Sequence, residues 1–586
     1  MSWTGPPRPT HAAPLPSGSW WGDLLLLLLV GGGFGLLLLL GQQAAAPYQE
    51  KTELDLSLKM LPLYALLSLG RGFAAYLLSL AFTLTYGTIA AHNRRAERVM
   101  IPALDVLQSI PVLGFLPGLV LAMVALFPTR EVGLEIACIV MIFTGQVWNM
   151  TFSFHDSLKA VPTTLREAAR VYRLSGWQVF RLLEVPAAMI GLVWNSMMSM
   201  AGGWFFLTVT EAFTLKDRDY RLPGIGSYMN EAIRQGDVVA ILGAMVAMTT
   251  VILVVDQLLW RPLVAWSQRF KVEDIAATQA QQSWVLSALR RSRLSQWLAR
   301  AWQRDPAATA RPTVPRPLPR PLRFLWHGRR VLWPVLRWVL LGLFLLGAGW
   351  GVWTLLALLM DLPLEDTATH ADWLHVLLAL GASFLRTSAA VVLGAAWTLP
   401  VGILIGQSPR WSARLQPLIQ VVASFPAPML FPLVVLVLTS WGIPFNVGCV
   451  VLMLLGTQWY ILFNVIAGAT AIPADLREAA AVYRLSRWQT WTRLYLPCVF
   501  PYLVTGLVTA AGGAWNATIV SEYVQTPSGT FAAFGLGATI SQATAAGNFS
   551  LLTAAVVTMA LAVVTINRLV WKRLHRLAEE RFQLQV

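Results

Sequence analysis

The chain contains no Gly-Lys dipeptide, so it cannot build the glycine-rich loop whose lysine holds nucleotide phosphates, and a P-loop ATPase is excluded. Its seven histidines show no HExxH spacing, and neither GxSxG nor a paired CxxC occurs, which leaves no catalytic constellation of the hydrolase or zinc-enzyme kind. Three cysteines, Cys138, Cys449 and Cys498, all lie in apolar blocks and read as small buried hydrophobes rather than as redox or metal groups. Charge is scarce as well: 12% of residues are charged, against roughly a quarter in an ordinary soluble domain. The chain reads as a conduit, without a cofactor of its own, and not as a catalyst.

What is present is apolar sequence. Hydrophobic residues make up 56% of the 586 and fall in long blocks. A bilayer core needs about 20 apolar helical residues per crossing. The blocks place spans near 21–41, 61–91, 104–127, 132–152, 186–212 and 238–260, then near 333–359, 374–406, 415–440, 444–467, 498–522 and 549–571. The first block is read as a retained span, with a cleaved signal peptide as the alternative. Basic connections at 92–98 and 408–414 face the cytoplasm by the positive-inside rule, and counting crossings from there puts both termini inside.

Between the two sets lies a basic stretch. Residues 261–330 hold fourteen Lys and Arg against Glu273, Asp274 and Asp305, most of the formal net charge of +15. RPTVPRPLPRPLR reads as a semi-extended linker, and SWVLSALRRSRLSQWLARAW as a helix lying on an anionic leaflet. A basic cytoplasmic tether needs no nucleic acid to explain it, and none is expected.

One sequence is written twice. LREAARVYRLSGWQ at 165–178 returns as LREAAAVYRLSRWQ at 476–489, differing only at Arg170/Ala481 and Gly176/Arg487. The same offset of 311 carries Trp148 to Trp459, Pro186 to Pro497, Trp204 to Trp515 and Glu211 to Glu522, and an offset of 315 carries Pro102, Pro111 and Pro117 to Pro417, Pro426 and Pro432. The chain is therefore a tandem duplication of a six-span unit, both copies in one orientation. Thr164 with Glu167 and Asp475 with Glu478 have the form of capping boxes, as do Ser175 with Gln178 and Ser486 with Gln489. Each stretch is thus expected to fold as helix, tight turn and helix, with Leu165, Ala168, Ala169 and Tyr172 on one face. An ordinary surface hairpin and a DNA-reading helix-turn-helix are the other readings; the close leash to membrane spans argues against groove docking.

The EAA at 167–169 and 478–480, each followed by a turn and a later proline, resembles the EAA loop of the membrane subunits of binding-protein-dependent ABC importers. The surrounding EAARVYRLSGWQVFRLLEVP, AGGWFFLTVTEAF, LPGIGSYM and AGGAWNATIVSEY are most similar to the permeases grouped with nitrate, sulfonate, taurine and bicarbonate systems. One departure is plain: the general pattern has glycine where this chain has Arg173 and Arg484.

The resemblance implies an all-α transmembrane fold of about twelve helices, as two tandem six-span type I permease domains at 1–260 and 331–586, joined by the linker at 261–330. The EAA loops would lie near 155–185 and 468–496. It implies a multi-pass protein of a bacterial inner membrane. Its partners would be two ABC ATPase subunits, which carry the ATP and Mg, and a periplasmic or lipid-anchored substrate-binding protein. Glu167, Ala168, Ala169, Tyr172 and Arg173, with Glu478, Ala479, Ala480, Tyr483 and Arg484, would dock the ATPases. A fused ferric-ion or thiamine permease is a nearer alternative within the class. An ion-gradient-driven carrier with duplicated halves is the alternative outside it.

Polar residues inside spans are the default candidates for a translocation path. They are Gln146, Trp148, Asn149, Asn195, Thr208 and Thr210 in the first half, and Gln458, Trp459, Asn464, Asn516 and Thr518 in the second. Helix–helix hydrogen bonding is the competing role for each. Glu211 and Glu522 are read as interfacial ends or contacts to an external binding protein. SIP at 109–111 and SFPAP at 424–428 are expected to kink their helices, and Gly202–Gly203 and Gly512–Gly513 to pack the halves together.

Overall fold

The computed structural model describes residues 54–215, 218–270, 283–292 and 372–582, with part of 338–364 and Trp21 and Leu24. Eight helices are long and apolar enough to cross a membrane, or ten if two bent pairs each count as one span, among the described residues. The expected span at 21–41, most of the linker and part of the span at 333–359 lie outside them. An apolar helix, Leu345–Met360, overlaps the last.

The first half runs α1 (Leu61–His92), α2 (Arg94–Ser109), α3 (Leu116–Leu126), α4 (Val132–Lys159), α5 (Thr163–Val171), α6 (Gly176–Thr210), the hairpin β1 (Ala212–Leu215) and β2 (Arg218–Arg221), α7 (Ile225–Gln235) and α8 (Val238–Phe270). The second half repeats every element: α9 (Trp373–Gln407), α10 (Pro409–Ser424), α11 (Phe431–Ser440), α12 (Phe445–Thr470), α13 (Ala474–Val482), α14 (Arg487–Ser521), β3 (Tyr523–Thr526), β4 (Gly529–Ala532), α15 (Leu536–Ala546) and α16 (Phe549–Phe582). Element n of the first half thus corresponds to helix n + 8 of the second. The two antiparallel hairpins were not expected from the sequence.

Each half is built on three long helices, α1, α4 and α6 or α9, α12 and α14, packed side by side. Close approach is written into the first pair of each half: a Cβ on Gly87 would lie 2.7 Å from Phe154, and one on its equivalent Gly402 2.6 Å from Val465. Helix starts follow capping chemistry. The Asn93 side chain accepts from the amides of Arg95 and Ala96 at the start of α2, and Ser408 occupies the same place before α10.

Two predicted spans are sharply bent. Residues 104–127 and 415–440 are not straight helices: α2 turns into α3 at 84°, and α10 into α11 at 75°. The bend falls at Pro111 and Pro426, which stand in extended backbone and have no amide to donate to the preceding turn. A kink was expected; the chain makes a near-right-angled corner.

Proline also shapes α6 and α14. Over five residues ending two before Pro186 and Pro497, at Phe180–Glu184 and Trp491–Tyr495, the helix widens to a π turn. That widening accommodates a ring that clashes with the carbonyl four residues back in a regular α-helix.

Candidate functional site

The repeated stretches are two helix-turn-helix units. Ser175 and Ser486 each form a full capping box with Gln178 and Gln489 and start α6 and α14. The other two expected boxes are absent. Pro162 and Pro473 are the N-cap residues of α5 and α13, with no side-chain cap, so Thr164 and Asp475 already lie inside the first turn. The proline starts each helix two residues before the expected cap, and in the first copy its carbonyl accepts from the amides of Leu165 and Arg166.

The turns close by identical hydrogen bonds. In the first copy the Arg173 amide donates to Arg170 and the Leu174 amide to Ala169; in the second, Arg484 donates to Ala481 and Leu485 to Ala480. This is the helix ending that ordinarily places a glycine in the left-handed region, and here the arginines occupy it, each at φ 49°. The departure at Arg173 and Arg484 therefore leaves the turn intact. Around it stands an apolar knob: Val171, Tyr172 and Trp177 are 68–80% exposed, and Val482, Tyr483 and Trp488 are 77–79% exposed. Glu167 and Glu478 are exposed, and so are Leu165 and Ala168, whereas Ala169 is buried.

From each turn α6 or α14 runs without a break to a buried polar knot at the opposite end of the bundle. Glu211 and Glu522, expected at an exposed interface, are fully buried. Glu211 accepts from Arg71 Nη1 (2.7 Å), Ser68 Oγ (2.6 Å) and the Gly226 amide (2.7 Å), and Arg71 also meets Glu135 through Nε and Nη2. Glu522 accepts from Ser383, from Arg386 Nη1 (2.8 Å) and from the Gly537 amide. A carboxylate that closes an apolar helix is buried only when a cation and several donors meet it, and both knots supply them. One difference separates the halves: Asn446 stands where the first half has Glu135, and accepts from Arg386 Nη2 at 2.9 Å.

Sequence reading missed Ser68, Arg71, Ser383 and Arg386. The signal was there, since an arginine within a long apolar block is a functional candidate by default, and SLGR and SFLR recur 315 residues apart.

Cavities open along the junction of the halves. The one nearest the loop helices, about 650 Å³, is walled by Trp194, Met197, Ser412, Gln416 and Phe463, with Arg261 Nε 2.9 Å from Asp256 on its side. A narrow middle cavity of about 70 Å³ lies among Phe205, Phe206, Thr457, Trp459, Tyr460 and Phe463. A third, about 410 Å³, opens beside the hairpins between Thr208, Asn230, Gln525, Ser541 and Thr544.

Of the residues expected along a path, Thr208 and Trp459 line these cavities. The others stand elsewhere. Gln146 is buried inside the first half, against Ser79 and Met200, and Thr210 meets Cys138. Asn195 donates to Ser153, Gln458 accepts from Trp397, and Asn464 and Thr518 bond the carbonyls of Tyr460 and Trp515 on their own helices. Asn149 is exposed, and Trp148 has its indole nitrogen buried with no partner among the described residues. Asn516 joins the halves, accepting from the Val112 amide at 2.8 Å. Helical spacing shows that a polar group is in a span but not which neighbour it faces, and most of these face helices. The glycine pairs divide likewise: Gly202 sits 3.5 Å, by its would-be Cβ, from Tyr460 of the second half, Gly203 and Gly513 pack within their own halves, and Gly512 meets nothing within 4 Å.

The middle cavity is also unequal. Subtracting the repeat offset from Tyr460 gives Asn149, and adding it to Phe205 and Phe206 gives Asn516 and Ala517. The duplicated scaffold therefore carries different side chains at its narrowest point.

A family model described as "binding-protein-dependent transport system inner membrane component" matches residues 83–259 and 398–582, together more than half of the chain. The chain is similar to the bicarbonate transport system permease protein of Synechococcus elongatus, 32% identical over 24% of this chain and 50% of that protein. It is similar to a nitrate import permease protein of Leptolyngbya laminosa, 27% identical over 33% of this chain and 65% of the relative. It is also similar to the taurine transport system permease protein of Escherichia coli, 28% identical over 34% of this chain and 77% of the relative. Matches to the first of these span about half the relative's length.

Proposed function

The chain belongs to the inner-membrane component family of binding-protein-dependent transport systems, and from that premise we propose that it is the fused permease of an ATP-driven importer for a small anion of the bicarbonate, nitrate, sulfonate or taurine class. The observation that carries the reading is the pair of matching loop helices, exposed at one end of the bundle and each continuous with a helix that reaches the cavities between the halves.

The loop-helix end faces the cytoplasm, where basic connections accumulate, and each unit docks one ABC ATPase subunit. ATP and Mg are held by those subunits. A substrate-binding protein delivers the anion at the hairpin end. Closure of the ATPases draws the two loops together. Because α6 and α14 are unbroken and tied by Glu211 and Glu522 to α1, α7, α9 and α15, the movement reaches the hairpin end as a rocking of the halves.

Amide, hydroxyl and aromatic groups on the outer and middle walls give an anion weak, replaceable partners. Arg261, the cation on the inner wall, is already neutralised by Asp256, so a departing anion is not held there.

The test is co-purification with the ATPases encoded beside this chain, comparing wild type with Glu167→Arg plus Glu478→Arg in one detergent. Loss of the ATPases from a folded double variant is expected; unchanged association would sink the docking assignment. Uptake of labelled bicarbonate, nitrate, taurine and alkanesulfonates by the reconstituted complex then selects the substrate, and uptake of ferric ion or thiamine instead would overturn the anion assignment.

A further inference from the structure

The strained turn residues in the loop helices have no structural reason to be arginine. Elsewhere the chain uses glycine for a helix ending in the left-handed region: Gly236 after α7 and Gly547 after α15, both at φ 69°. At the end of α5 and α13 the same backbone region is held by Arg173 and Arg484, where a β-carbon crowds the following carbonyl. Folding alone would favour glycine there.

Both arginines are exposed at the tip of the turn, beside the aromatic knobs of Tyr172 with Trp177 and Tyr483 with Trp488. The repeated fourteen residues have diverged at two unstrained places, Arg170/Ala481 and Gly176/Arg487, yet both copies retain the strained arginine. A non-glycine residue held in this region in an exposed turn points to use of its side chain. Each loop also carries an excess of cations: Lys159, Arg166, Arg170, Arg173 and Arg181 against Asp156, Glu167 and Glu184 in 155–185, and Arg477, Arg484, Arg487 and Arg493 against Asp475 and Glu478 in 468–496.

We propose that Arg173 and Arg484 are fixed cationic contacts, each fastening its loop to a carboxylate at the rim of the ATPase cleft that receives the aromatic knob. This rests on the docking role proposed above and names the chemistry of the partner surface. The left-handed backbone places the arginine at the tip of the turn, and its planar guanidinium can meet a carboxylate there with two parallel hydrogen bonds.

The experiment titrates ATPase subunits onto the full-length chain in lipid nanodiscs, at low and high salt. It compares wild type with Arg173→Gly plus Arg484→Gly and with Arg173→Lys plus Arg484→Lys. Glycine relieves the backbone, so the glycine variant is expected to be at least as heat-stable as wild type. It should nevertheless bind about tenfold more weakly at low salt and show a shallower salt dependence, while lysine restores most of the affinity. Binding by the glycine variant as tight as wild type, or a lysine variant as weak as glycine with an unchanged salt slope, overturns the cationic contact and leaves the docking role standing. Absence of ATPase binding by wild type overturns both.

Discussion

Arg71 lies against Glu135 with two parallel hydrogen bonds of 2.7 Å, and both side chains are buried at least 98%. The same guanidinium reaches Glu211 and the Pro223 carbonyl, so one residue of α1 joins α4, the end of α6 and the approach to α7. Replacing it strands two buried carboxylates. Arg71→Met is expected to destabilise the chain by about 3–5 kcal/mol, the usual cost of removing one partner from a buried pair. Arg386→Met should cost less, because Arg386 is 11% exposed and faces one carboxylate and an amide. Thermal unfolding in detergent checks the order; equal losses would show that the two knots are energetically alike.

Tyr460 narrows the middle cavity from one side only, since its repeat equivalent Asn149 is exposed. Tyr460→Ala is expected to raise ATP-independent leak of the transported anion through proteoliposomes several-fold, and Asn149→Ala to leave it unchanged. Equal leak from the two variants would place the constriction elsewhere.

Glu231 supplies a pH dependence outside the spans. Burial raises its pKa, but hydrogen bonds from Arg234, Gln235 and Arg221 outweigh this and hold it at about 2, below its ordinary 4.5. A depressed carboxylate contributes its full stability above its unfolded pKa and loses it as the pH falls through the folded value. The stability difference between wild type and Glu231→Gln should therefore be constant above about pH 4.5 and shrink as the pH is lowered towards 2. Unfolding midpoints measured from pH 7 to pH 3 decide it; a gap that widens on acidification would reverse the assignment.

Apolar block length and the internal offsets of 311 and 315 are enough to place the long helices, the duplication and the helix-turn-helix units, because these rest on periodicity and local capping. Ser175 with Gln178 closes a box within four residues, so the sequence alone determines it. Thr164 with Glu167 has the same form and fails, since the proline two residues before Thr164 starts the helix first.

What only the tertiary structure decided depends on contacts between distant segments. Glu211 becomes a buried partner because Arg71, 140 residues earlier, arrives beside it. Gln146 is drawn away from the cavities because Ser79 and Met200 enclose it. A helix pattern fixes which residues share a face but not which neighbour that face meets, and the partner determines whether a polar group in a membrane span binds another helix or lines a passage.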